Sequence, residues 1–185
     1  MGQETDKIFE RAKLNLEEEN HENALRLFNE VLNREPSHVE ALRNKAMIKV
    51  LNANKNEAED FLLFAIEQQP EDDQLYQILG TFYHNNNQPV KARKNLLKAF
   101  EINPSNILAC RGLAMVFANY YGDHDKAITY FSEAIKLNDE SADLYFYRGC
   151  SYMILGFGDK AKADLQKACE LGHPKAENML EKYFS

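Results

Sequence analysis

The 185 residues are 44% apolar and 28% charged, the composition of a folded chain long enough for one ordinary domain and short for two. A net charge of −7 argues against nucleic-acid binding by phosphate neutralisation. No apolar run approaches the roughly 20 residues that cross a bilayer, the longest being Phe61-Leu62-Leu63-Phe64-Ala65-Ile66.

The opening residues, Met1 to Asp6, carry neither a basic nor an apolar stretch, so a secretory leader is not expected and a cytoplasmic location is. Cys110, Cys150 and Cys169 are odd in number, widely spaced and without a C-x-x-C, so neither a disulfide framework nor a zinc site is expected. They read as buried free thiols of a reducing compartment.

From the N-terminus onward the chain reads as amphipathic helices in pairs, A then B, separated by polar turns. The first pair covers about residues 5–38, turning at Glu19-Asn20-His21-Glu22 and stopping before Pro36. The second covers 39–72, with its turn at Asn52-Ala53-Asn54-Lys55 and its stop before Pro70. The third covers 73–106, with Asn85-Asn86-Asn87-Gln88 as turn and Pro104 as stop. Each proline disfavours helical geometry in the residue before it. The fourth, 107–141, holds one extra residue near Tyr120-Tyr121-Gly122-Asp123-His124, and Asp139 stands where proline would. The fifth, 142–175, turns at Gly156-Phe157-Gly158-Asp159. Ser141 and Asp159 are the expected N-terminal caps. A last helix, about 174–185, opens at Pro174 and puts Ala176, Met179, Leu180 and Tyr183 on one face. It reads as a cap over the apolar end of the array, which makes about eleven helices in one stacked all-α domain, residues 1–185.

The pairs share a register. Ala24, Ala58, Ala92, Ala127 and Ala161 follow one another at 34, 34, 35 and 34 residues. Small residues recur at Ala12, Ala46, Gly80, Ala114 and Gly149, and bulky ones at Phe28, Leu62, Leu96, Phe131 and Leu165. Such a period marks a repeat architecture. In the third copy Tyr76, Leu79-Gly80, Tyr83, Ala92, Leu96, Ala99 and Pro104 fall in the places of the tetratricopeptide repeat. The chain resembles that family over nearly its whole length, as five repeats and a capping helix forming an α-solenoid. Asn15 and Lys49 depart from the pattern, replacing the aromatic found at Tyr83, Phe117 and Tyr152, so looser packing is expected in the first two repeats.

Catalytic signatures do not emerge. His21, His38, His84, His124 and His173 form no metal-binding spacing, and no phosphate-binding glycine loop or nucleophile elbow is present. Asp123-His124-Asp125 reads as a solvated turn, and Lys91, Lys94 and Lys98 as a solvated outer face. No cofactor is expected. Residues 1–72 hold 16 acidic and 9 basic side chains, whereas 73–185 hold 13 of each. The acidic half serves either to steer a basic partner or simply for solubility.

The resemblance implies a concave surface lined by the A helices that holds a peptide or protein segment. Its positions here are Arg43, Asn44 and Met47; Gln77, Ile78, Thr81, His84 and Asn85; Arg111, Met115 and Asn119; and Phe146 and Tyr147. The first repeat offers Phe9, Glu10 and Lys13. Amides suit an extended backbone, Arg43 and Arg111 suit carboxylates, and the methionines and aromatics offer adaptable apolar surface. Ordinary helix surface is the alternative for each. Chaperone-adaptor members clamp acidic tails with Lys and Asn, then Asn, then Lys and Arg on three A helices. Here Lys13 and Asn44 fit, but Phe9, Gln74 and Ile78 occupy places that need Lys or Arg, so that activity is not expected. The function expected is a non-catalytic interaction module; the alternative is an assembly protein that oligomerises through repeat ends, such as Tyr183-Phe184, or the outer face.

Overall fold

The computed structural model describes residues 2–52 and 55–184. Among these there are eleven α-helices and no strand. They are α1 (Gly2–Glu17), α2 (His21–Arg34), α3 (Val39–Asn52), α4 (Lys55–Gln68), α5 (Asp73–Asn85), α6 (Pro89–Ile102), α7 (Ile107–Val116), α8 (His124–Leu137), α9 (Ala142–Ile154), α10 (Gly158–Glu170) and α11 (Ala176–Phe184). These match the expected pairs; the turn expected at Asn52-Ala53-Asn54-Lys55 falls largely outside the described residues. The helices form two compact units, residues 1–79 and 80–185, whose boundary lies within α5. No helix is long and apolar enough to cross a membrane among the described residues.

Packing within each unit is mostly between helices consecutive in the chain. In the first unit α1 lies on α2, α2 on α3 and α3 on α4. Ile8, Phe9, Ala12, Ala24, Leu27, Phe28, Val31, Ala41 and Ile48 form one buried cluster there. Alanines at Ala12 and Ala24 are fully covered, because only small side chains let the paired helices approach. In the second unit α6 to α11 follow the same rule. Leu96 of α6 is seated between two glycines: a Cβ at Gly80 would lie 2.6 Å from its Cγ, and one at Gly112 would lie 2.9 Å from its Cδ2.

Helix ends follow from local chemistry. α2, α4 and α6 stop at Arg34, Gln68 and Ile102, two residues before Pro36, Pro70 and Pro104. α8 stops without a proline, because Asn138 folds back and its Oδ1 accepts from the Glu140 amide at 3.1 Å. Asn103 does the same for Ser105 at 3.0 Å. Starts are capped by Asn20, Asn106 and Asp123, which accept from Asn23, Ala109 and Lys126 amides. The two caps expected at Ser141 and Asp159 are corrected. Ser141 stands at the right place but its side chain makes no cap bond. Asp159 lies inside the first turn of α10, where a carboxylate favours the helix dipole instead.

The extra residue of the fourth repeat does not lengthen a loop. It is absorbed as a π-helical turn, Phe117–Tyr121, at the end of α7. The Gly122 and Asp123 amides both donate to the Phe117 carbonyl, and Gly122 closes the turn at φ 62°. The wider turn sends the Tyr120 hydroxyl back to the preceding helix end, where it donates to the His84 carbonyl at 3.1 Å and sits 2.9 Å from Asn87 Oδ1. A π-turn is the way a helix holds one surplus residue while the residues on either side keep their packing.

The departures at the aromatic column also have a structural reason. In the second unit a lysine from each B helix covers the aromatic of its A helix: Lys91 over Tyr83 at 4.8 Å, Lys126 over Phe117 at 5.1 Å, Lys160 over Tyr152 at 5.5 Å. In the second repeat the pair is exchanged for charges, Lys49 to Glu57 at 3.5 Å. The seam there is bridged by a different interaction.

The capping helix is shorter than expected, starting at Ala176 rather than Pro174. Ala176, Met179 and Leu180 face Phe146, Leu165 and Ala168 as expected. Tyr183 does not: it is 52% exposed, and Phe184 covers that cluster in its place.

Candidate functional site

In the first unit, three successive A helices contribute to one cleft of about 260 Å³. Phe9 and Lys13 come from α1, Glu40, Arg43 and Asn44 from α3, and Gln74 from α5. Arg43 and Asn44 were expected there, and Phe9 and Lys13 were offered with them; Glu40 was not. Its position one turn before Asn44 is the only sequence signal that could have found it. The Asn44 amide donates to the Glu40 carbonyl at 2.9 Å. Lys13 is paired with Glu10 of its own helix at 3.3 Å. Met47, one turn beyond Arg43, is 47% exposed.

Arg43 is not a free guanidinium. Its Nε donates to Asp72 Oδ2 at 2.7 Å. Asp72 is the residue at the entrance of α5, and its Oδ1 also accepts the Gln74 and Leu75 amides at 3.0 and 3.1 Å. One carboxylate thereby closes a helix start and holds an arginine from the preceding repeat. Phe9 stands one repeat earlier in the same column, and it meets the residue at the entrance of α3: the Phe9 and His38 rings are 4.7 Å apart. His38 Nδ1 in turn accepts the Ala41 amide at 3.3 Å.

The second unit repeats this pairing at its end. Phe146, the equivalent of Phe9, stacks on His173 at 3.8 Å with the rings 14° apart. His173 Nδ1 accepts the Lys175 amide before α11. Phe146 is therefore buried beneath His173 and contributes packing, which corrects its expected place on an open surface. Tyr147 beside it is half-buried and stacks on Phe131 at 6.2 Å. Arg111 and Asn119 are exposed, and Met115 between them is half-buried. Asn85 is exposed and Thr81 half-buried, while Gln77 and Ile78 are buried.

His84 is half-buried with the Tyr120 ring edge-on at 5.4 Å. Its Nδ1 has no hydrogen-bond partner among the described residues. Burial holds its pKa below the usual 6.5. Cys110, fully covered, has its thiol pushed up to about 11, chiefly by burial and further by the Glu133 charge. Such a thiol is a packing group rather than a nucleophile. Among the described residues no group of three or more His, Cys, Asp or Glu is placed to hold a metal ion.

Comparison with known proteins agrees with the register. Models of the tetratricopeptide repeat match residues 15–81, and residues 73–106 and 121–141. The crystal structure of MamA superposes with a TM-score of 0.73 at 24% identity, covering 100% of this chain and 98% of that one. YrrB, described as a TPR protein with an unusual peptide-binding site, superposes at 0.72 and 25% identity over 94% of this chain and 90% of that one. PilF of Pseudomonas aeruginosa superposes at 0.85 and 17% identity over 95% of this chain and 80% of that one. Register, helix pairing and these matches have one meaning: the chain belongs to the tetratricopeptide repeat family, with the α-solenoid fold of that family.

Proposed function

We propose that the protein is a non-catalytic interaction module that holds an extended peptide or protein segment against its A helices. The observation that carries this reading is the cleft of the first unit, where α1, α3 and α5 together present Phe9, Lys13, Arg43, Asn44 and Gln74. Such a set offers a cation at Lys13 and amides at Asn44 and Gln74 that both donate and accept, over a floor made by the buried Phe9. The exposed Met47 extends it with adaptable apolar surface. The likeness to YrrB, a TPR protein with a peptide-binding site, supports the same use of the fold.

The test begins with a peptide selected against the whole chain from a displayed library. Replacing Lys13 and Asn44 together by Ala should weaken its binding by about tenfold, on the order of 1–2 kcal/mol for two central contacts. Lys94→Ala, on the exposed side of α6, should leave it unchanged. Equal binding by all three proteins would remove the cleft as the site.

A further inference from the structure

The second repeat departs from the common register at one exposed point. Phe64 of α4 stands where α2 has Glu30, α6 has Lys98, α8 has Glu133 and α10 has Lys167. The four other repeats place a charge there, and this one places an aromatic ring. α4 already buries Ala58, Leu62 and Ala65 on its packed face. Leu63 and Phe64 lie outside that face, 44% and 45% exposed. The helix therefore carries large apolar side chains on both sides, whereas a surface helix ordinarily keeps its outer side polar. Asp60 and Glu67, both exposed, stand one turn before and one turn after this pair on the same side. Among the described residues no ion pair engages either carboxylate. The nearby cation Lys45 lies instead over the Phe61 ring at 4.4 Å. As a whole α4 carries Glu57, Glu59, Asp60 and Glu67 against Lys55 alone. Its counterparts α2, α8 and α10 hold equal numbers of acids and bases, and α6 is basic.

We infer that this face of α4 docks a basic amphipathic helix of a partner protein. The apolar side of that helix covers Leu63 and Phe64, and its lysines or arginines meet Asp60 and Glu67. An apolar pair set between unpaired carboxylates fits a helix whose apolar stripe is flanked by cations. A second copy of this chain fits poorly, because a two-fold contact would bring Asp60 and Glu67 against the same carboxylates. An anionic membrane surface would be repelled for the same reason. Long-range charge agrees: residues 1–72 hold 16 acidic and 9 basic side chains, a field that draws a cationic partner. α4 contributes no residue to the cleft of α1, α3 and α5, so this inference stands apart from the peptide reading above.

The experiment uses the whole chain and a synthetic peptide of about 18 residues, long enough to fold on a surface. It is built of leucine and lysine, with the leucines at helical spacing, and its binding is followed by calorimetry. A scrambled peptide of the same composition has the charge without the apolar side. The ordered peptide should bind at least tenfold more tightly than the scrambled one and gain helix on binding. Phe64→Glu copies the first and fourth repeats, so it installs a residue that this position accepts. It should weaken binding of the ordered peptide at least tenfold. Were charge alone the attraction, one more carboxylate would tighten a lysine peptide instead. Asp60→Lys combined with Glu67→Lys should weaken binding by a similar factor and flatten its dependence on salt. Lys13→Ala combined with Asn44→Ala should leave it unchanged. Equal binding of the two peptides, undiminished binding by Phe64→Glu, or loss of binding in the Lys13 and Asn44 variant would overturn the inference. So would sedimentation in which the parent alone self-associates and Phe64→Glu does not, since the occupant would then be a second copy.

Discussion

Replacing Asp72 by Ala should be the most damaging single change to a charged side chain in the first unit. The carboxylate is 3% exposed and accepts three bonds, from Arg43 Nε at 2.7 Å and from the Gln74 and Leu75 amides at 3.0 and 3.1 Å. Loss of a helix cap alone costs about 1 kcal/mol. A charged hydrogen bond adds about 1.5–3 kcal/mol, partly because Arg43, 28% exposed, is left half-buried without its counter-charge. The two effects share one side chain and do not add fully, so about 2–4 kcal/mol is expected. Asp72→Asn separates them: an amide oxygen still caps α5, but the charge is gone, so about half the loss should return. Urea unfolding gives the total, and amide hydrogen exchange at Gln74 and Leu75 reports the cap directly. Protection there should collapse in Asp72→Ala and survive in Asp72→Asn. If Asp72→Ala costs no more than the roughly 0.5 kcal/mol of an ordinary surface change, the pairing of A helix with the next entrance does not stabilise the stack.

Gly80→Ala gains about 1 kcal/mol of helix propensity but drives a Cβ to 2.6 Å from Leu96 Cγ; a net loss of about 1–2 kcal/mol is expected in chemical denaturation, and stabilisation would contradict the seating of Leu96. Glu57→Lys should cost about 0.5–1 kcal/mol through loss of its contact with Lys49. Adding Lys49→Tyr should restore that loss, because the pair then copies Lys91 over Tyr83; a double variant weaker than Glu57→Lys alone would refute the exchange. His84 has its pKa lowered by burial, so the unfolded chain binds its proton more readily than the folded one. That contribution to stability is complete above the usual 6.5 and is lost as pH falls from there toward the depressed folded value. The stability difference between parent and His84→Gln should therefore shrink on acidification, and a difference independent of pH would contradict the assignment.

Helix pairing was legible because it is local. Apolar spacing, polar turns and prolines recur at 34 residues, and the expected pairs differ from the observed ones mainly by a residue or two at their ends. Cap chemistry was less so: Asp159 has the right type but lies two residues past the cap position at Phe157, and Ser141 stands at the cap without its oxygen reaching an amide. The surplus residue of the fourth repeat was visible as a count, and its form as a π-turn was not, since the packing of Phe117 and Tyr120 on neighbouring helices decides it. The candidate surface was the least legible part. Phe9, Arg43, Gln77, Arg111 and Phe146 occupy one register position, yet Phe9, Arg43 and Phe146 are engaged by His38, Asp72 and His173, each 27 to 29 residues further along. No periodicity within a single helix encodes a contact between one repeat and the entrance of the next.

Hydrogen exchange of the whole chain with a library-selected peptide, resolved to single helices, tests the central claim most directly. Added protection should concentrate on α1, α3 and the start of α5, around Lys13, Asn44 and Gln74. Protection confined to the B helices α2, α4, α6 and α8, with the A helices unchanged, would contradict it.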